Sequence, residues 1–245
     1  FCWGKLGLWA LQGYDAVVYM DADMLLVGDI TQLLSRIPGP GLVAAVPSCA
    51  CWCGEECAYT TTVDDGRPGA HHFNAGLLAF RPSREEFGWM QRALETAAHE
   101  FPFAEQDFLN EHFRGRVVPL PPAYNALKHA LRNPKHTGHL PLQHCVALHF
   151  VMAKPWERAS KVEEEFEEFH ALWHRAKEDA AESAFLRPQW AKHLVHPALP
   201  GLWHVPGFAG GAAGAALLAC LHGPDLAHRW QSLSRRRVLC LGGAP

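Results

Sequence analysis

The chain lacks any long run of basic residues: 22 lysines and arginines stand against 25 acids for a formal charge of -3, and positive charge concentrates only in the short Arg235-Arg236-Arg237 cluster. A nucleic-acid partner selects for a basic face that neutralises phosphates, so none is expected. Cysteine is sparse too. Eight in 245 residues do not make a disulfide scaffold, and Cys49, Cys51, Cys53 and Cys57 crowd together so closely that mutual bridges would be strained. A reducing, cytoplasmic setting is the expectation. No stretch offers the roughly 20 firmly apolar residues of a membrane span. Val205 to Leu221 comes nearest, but Pro206, Gly207, Gly210, Gly211 and Gly214 interrupt it, and no membrane is expected as a partner. The opening Phe1-Cys2-Trp3-Gly4-Lys5 carries neither an initiator Met nor a basic leader, so a preceding segment is expected to be missing.

What is present is ample apolar material, 49% of the residues, enough for one full core. Leu6, Trp9 and Ala10 share a helical face ahead of Gly13, and Ala16-Val17-Val18-Tyr19-Met20 is a continuous apolar run of the kind a buried strand requires. Leu42 to Val46, Leu77 to Phe80, Val117 to Leu120 and Cys145 to Phe150 read as further strands. Ser83 followed by Glu86 makes a capping box for a helix whose face is Phe87, Met90, Leu94 and Ala97, and a second helix is predicted over Glu105 to Phe113. From Lys161 onward, Val162, Phe166, Phe169 and Trp173 recur at helical spacing. Alternating strands and helices predict an α/β domain over residues 1–195. The irregular stretch Pro47 to His72 is expected to be a loop or lid, and the Gly/Ala-rich residues 196–245 a weakly ordered tail.

The chemistry concentrates where the first strand ends. Asp21-Ala22-Asp23 emerges at its carboxyl end, the edge at which open α/β sheets bind ligands. An Asp-x-Asp pair alone is a weak signal, since such pairs also cap helices and decorate strand ends. Two carboxylates one residue apart can nevertheless converge on a hard divalent cation, whose charge relieves their mutual repulsion. His149 ends another predicted strand, and an imidazole beside carboxylates favours Mn2+ over Mg2+. In the stretch HFVMAKPW, Lys154 follows His149 by five residues. A lysine placed there suits a pyrophosphate clamp, although an exposed surface lysine is the simpler reading. Glu105, Gln106 and Asp107 open the second predicted helix and read, taken alone, as an ordinary acidic helix start.

In order along the chain stand KLGLWALQGYDAVVYMDADMLLVGDI, HHFNAGLLAFRPS, FPFAEQDFLNEHF, PLPPAYNAL and HFVMAKPW. Together they resemble the family 8 glycosyltransferases, the glycogenin and galactinol synthase family. The resemblance implies a GT-A-like α/β fold with a mixed central sheet flanked by helices. It also implies a bound Mn2+ and retaining transfer of a hexose from a UDP-sugar to a hydroxyl acceptor, either a small molecule or a glycan. By position, Asp21, Asp23 and His149 match the metal ligands. Lys5 and Lys154 match residues that contact donor phosphates or stabilise the site, and Asn74, Ala75 and Gly76 match the segment holding the donor sugar. Glu105, Gln106 and Asp107 match the catalytic segment beneath the reacting sugar, where the family favours front-face transfer with the departing phosphate helping to deprotonate the acceptor.

Two departures stand out. The strand, loop and helix that carry the base pocket in relatives are not among these 245 residues, so weak donor binding is the expectation if these are the whole product, and Met152 stands where relatives have a glycine, so crowding near the phosphates is expected. The PFAEQDFLN wording is closer to galactinol synthases than to glycogenin. No tyrosine among Tyr14, Tyr19, Tyr59 and Tyr124 has a self-glucosylation context. Competing readings are a catalytically silent truncated relative, a zinc-binding interaction module built on the four clustered cysteines, and, behind these, a haloacid-dehalogenase-type phosphatase using the Asp-x-Asp pair with Asp64-Asp65. The oligomeric state is left open, with a homo-oligomer as one option.

Overall fold

The computed structural model describes residues 2–47, 72–132, 140–157, 165–186 and 238–242. Outside them lie the cysteine-rich excursion, the Asp64-Asp65 pair, the Val205 to Leu221 stretch and most of the expected tail. The chain is α/β. Strands β1 (Ala16–Met20), β3 (Val43–Pro47), β4 (Phe73–Phe80), β5 (Val117–Pro119) and β8 (Val238–Gly242) form a five-stranded sheet in the order β5-β3-β4-β1-β8. Its outer pairs are parallel and its inner pairs antiparallel. A second sheet, β2-β7-β6, is built from Met24–Leu26, Ala147–His149 and Ala126–Leu127. Helices α1 (Arg84–Thr96), α2 (Glu105–His112), α3 (Lys128–Arg132) and α4 (Glu167–Leu186) complete the order. No helix of the described residues is long and apolar enough to cross a membrane.

Strand pleating sends successive side chains to opposite faces, and the large sheet is apolar on both. Val17, Val43, Ala45, Phe73, Ala75, Leu78 and Phe80 pack on one side against Leu6, Trp9, Met90, Phe108, Leu109 and Phe113. Val18, Met20, Ala44, Val46, Leu77 and Ala79 pack on the other side against Leu33, Leu120, Tyr124 and Ala147. The expected first helix exists as a 3-10 helix over Cys2–Ala10. In that geometry residues three apart eclipse, which aligns Trp3, Leu6 and Trp9. Trp9 stacks on Phe80 with ring centroids 3.8 Å apart, and Trp3 meets Phe101 edge-on.

Three outcomes depart from the sequence reading. β4 begins four residues earlier than predicted, at Phe73, so the Asn74-Ala75-Gly76 segment lies within the strand. The capping box is half made: the Ser83 side chain accepts from the Glu86 N–H, whereas the Glu86 carboxylate is buried and pairs with His112 and Arg116. The end of the expected weakly ordered tail supplies β8, which pairs with β1 from Ala16↔Val238 to Met20↔Gly242. Its run Val238-Leu239-Cys240-Leu241 has the apolar make-up of a strand.

A carboxylate and imidazole cluster where two sheets meet

Asp21 and Asp23 occupy the turn that carries the chain from β1 in the large sheet to β2 in the small one. Backbone bonds fix both ends of that turn: the Asp21 N–H donates to Gly76 O on β4 at 2.7 Å, and the Phe150 N–H donates to Asp23 O at 2.8 Å. His149 closes β7, opposite Met24 of β2. Donor atoms of Asp21, Asp23 and His149 therefore lie within 4.8 Å of one another.

Next to the turn, the pairing of β3 with β4 jumps from Ala45↔Leu78 to Val46↔Asn74. The extra β4 residues, Ala75, Gly76 and Leu77, make a bulge, a device that re-aims side chains beside active sites. A Cβ at position 76 would lie 2.4 Å from His149 Cε1 and 2.8 Å from Nδ1, so the imidazole seats only against a glycine.

A chain of hydrogen bonds then makes Nδ1 of His149 the donor to Asn125 and turns Nε2 toward Asp23. The Gly76 N–H donates to Asn74 Oδ1 at 2.9 Å, and the Ala75 N–H donates to Gln106 Oε1 at 3.1 Å. With both oxygens fixed by backbone donors, Asn74 Nδ2 donates to Gln106 Oε1 at 3.2 Å and Asn125 Nδ2 donates to Asn74 Oδ1 at 2.7 Å. Asn125 Oδ1 is left to accept from His149 Nδ1 at 2.8 Å. His149 Nε2 consequently faces Asp23 Oδ1 at 3.2 Å. An imidazole lone pair and a carboxylate oxygen repel at that distance, so the pair requires either a proton on Nε2 or a cation between them.

Burial, the largest influence on Asp23, would push its carboxyl up, but the His149 hydrogen bond and charge, together with Lys154, outweigh it and hold Asp23 well below the usual carboxylate range. Lys154 reaches Asp23 Oδ2 and also donates to Phe150 O at 2.9 Å. Lys5 is buried and bridges Asp21 at 3.1 Å and Glu105 at 2.9 Å while donating to Ala75 O. Burial alone would lower its pKa, yet Asp21 and then Glu105 reverse that and raise it, so Lys5 stays charged as an internal counter-ion.

Every residue expected at the site on sequence grounds thus joins one network except Asp107, which turns back to the Phe103 N–H at 2.8 Å and stands 3.4 Å from His72. Glu105 and Gln106 do reach the cluster, at the start of α2, whose preceding residue Ala104 has a left-handed φ of 49°. Met152 likewise has φ 63°, the backbone that a glycine would favour, and its side chain is 76% exposed. Two residues escaped the sequence reading. Tyr19 donates from its hydroxyl to Asp21 Oδ1 at 2.6 Å; burial, Asp21 and Glu105 raise its pKa far above the usual phenol value. Its position two residues before Asp21, on the same strand face, was the available signal. Asn125 is 1% exposed, and a polar amide amid the apolar run around it was the corresponding hint.

The donor set of two carboxylates and one imidazole, with Nε2 directed at Asp23, fits a divalent cation held by Asp21, Asp23 and His149, for which Nε2 would give up any proton it shares with Asp23. Comparison with known proteins bears on the same segments. Glycosyl transferase family 8 matches residues 3–160. Galactinol synthase 7 of Arabidopsis thaliana is 28% identical over 172 residues, covering 63% of this chain and 50% of the relative. Galactinol synthase 1 of Ajuga reptans is 28% identical over 229 residues, covering 80% of this chain and 67% of the relative. The chain thus spans half to two thirds of these relatives' length. Among solved structures, the apo form of the glycosyltransferase GlyE of Streptococcus pneumoniae TIGR4 shares the GT-A fold at a TM-score of 0.50 and 22% identity, over 68% of this chain and 41% of that one. The matched region runs through the Asp-x-Asp turn, the Asn74 bulge, the start of α2 and the His149 strand, and on that span the chain belongs to glycosyl transferase family 8.

Proposed function

We propose that the chain is the catalytic core of a metal-dependent retaining hexosyltransferase, galactinol synthase-like or glycogenin-like, that moves a hexose from a UDP-sugar to a hydroxyl of a small-molecule or glycan acceptor. The observation that carries this reading is the convergence of Asp21, Asp23 and His149 at a two-sheet junction, with Nδ1 of His149 held by Asn125 and Nε2 directed into the cluster. Mn2+ suits a mixed oxygen and nitrogen donor set, and when bound there it would supply Lewis-acid neutralisation of a leaving diphosphate.

The remaining steps belong to the protein's own groups. Lys154 adds a second positive charge beside Asp23, placed to exchange its carboxylate for a phosphate oxygen. Gln106 cannot be spared as a nucleophile, because its Oε1 already accepts from both Asn74 Nδ2 and the Ala75 N–H. Its role is to hold the sugar-binding segment in place. Without a free side-chain nucleophile at Gln106, a front-face transfer fits best, in which the acceptor oxygen attacks on the side the diphosphate leaves and that diphosphate takes up the acceptor proton.

Calorimetric titration of UDP into the purified chain, with and without Mn2+, tests the proposal. Binding is expected only with Mn2+ and is expected to vanish in Asp23→Asn while the melting profile keeps its cooperativity. A folded chain that binds no UDP under either condition would overturn it, as would full affinity in the Asp23→Asn variant.

A further inference from the structure

Lys128 is 2% exposed, one of the most deeply buried charges among the described residues. It opens α3 immediately after β6, where Leu127 pairs with His149. A buried ammonium persists only where polar partners replace its water. Here Nζ donates to Ala153 O, stands 3.4 Å from His170 Nε2 on α4, and lies 4.9 Å from the centre of the Phe166 ring.

Ala153 O is the carbonyl of the peptide that leads into Lys154. On its other side stands Met152, held at φ 63°, a backbone state that a non-glycine residue keeps only when its surroundings over-determine it. The Lys154 N–H donates to Glu157 Oε2 at 2.9 Å and the Glu157 N–H to Lys154 O at 3.1 Å. These bonds close the segment on itself beyond Lys154. Between Phe150, tied to Asp23, and this closed turn, the bond from Lys128 to Ala153 O anchors the strained stretch to the rest of the domain. His170 and Phe166 lie beyond residue 160, where the family match ends, so this anchor also fastens α4 to the segment bearing Lys154.

We infer that Lys128 is a positioning residue for the donor diphosphate: by holding Ala153 O it sets the reach of Lys154 toward the phosphates, and it transmits the placement of α4 to that reach. This rests on the donor-site reading above. Substituting Lys128 should therefore weaken diphosphate binding through Lys154, and should matter little once Lys154 has lost its charge.

The test is a double-mutant cycle on UDP affinity in saturating Mn2+, with melting recorded for each variant. Lys128→Met is expected to weaken UDP about tenfold or more in the otherwise unaltered chain and less than about twofold in a Lys154→Met background. Lys128→Arg is expected to recover part of the loss. Equal losses in both backgrounds, or no loss at all, would overturn the inference, since a merely structural lysine would act independently of Lys154. If Lys128→Met does not fold, His170→Gln provides the second variant. It should give a smaller loss, again confined to the background that retains Lys154, and its absence would count against the anchor. Failure of the unaltered chain to bind UDP would instead refute the donor-site reading, and this inference with it.

Discussion

Gly76 carries more of the site than its lack of a side chain suggests. Its N–H fixes Asn74, its O receives the Asp21 N–H, and its missing Cβ leaves the space that His149 fills. Gly76→Ala is expected to displace the imidazole and abolish the Mn2+-dependent UDP binding proposed above, read by calorimetry, together with a lower melting temperature. At this scale the sequence was informative where a residue's chemistry showed in its neighbours: Asp21, Asp23, His149 and Lys154 were all singled out from strand ends and spacing. Asn125 was not, because a buried amide leaves no periodic trace, and its role emerges only when Asn74 and His149 approach from residues 51 and 24 positions away.

Helices α1 and α2 are joined by a buried polar contact distant in sequence. Glu86 accepts from Arg116 at 2.9 Å on both oxygens and from His112 Nε2 at 2.6 Å. Burial, the largest influence, lowers the His112 pKa; Glu86 pulls it back up and Arg116 pushes it down again. With the folded value below the ordinary 6.5, the unfolded chain takes up a proton first as pH falls, so stability is full above pH 6.5 and declines as the solution is acidified below it. His112→Gln should flatten the dependence of melting temperature on pH in that acidic window. The same contact explains why the capping box was only half legible: the Ser-x-x-Glu spacing marks the helix start correctly, but local pattern says nothing of an arginine thirty residues on. At the head of α2, Ala104 adopts φ 49° with ψ -124°. Such strain costs on the order of 1–3 kcal/mol, and glycine's extra unfolded-state freedom takes back about 0.5–1 kcal/mol. Ala104→Gly should therefore stabilise the chain by about 1 kcal/mol, measured as a higher urea midpoint with an unchanged slope.

Across the whole molecule, the α/β class and the strands leading to the site were legible because each is a compact apolar run bounded by turn residues. Two features were not. The division into two sheets depends on which strands pair: β2 and β6 have three and two residues, too few for periodicity to speak, and β7, although legible as an apolar run, does not announce its partners. β8 pairs with β1 across more than 200 residues, a partnership that no local pattern encodes. Removing residues 238–245 should leave one edge of β1 without its ladder, and amide hydrogen exchange over Ala16–Met20 should accelerate; unchanged protection would show that the strand does not depend on that partner.

The Asp-x-Asp turn crosses from one sheet to the other while His149 belongs to the second sheet alone. A cation shared by these ligands would act as a rivet between the two layers, and its affinity would report how well they are aligned. Mechanical coupling of this kind is reciprocal: whatever tightens the seam tightens the ion, and saturating the ion should raise the melting temperature and make the two sheets come apart in a single step.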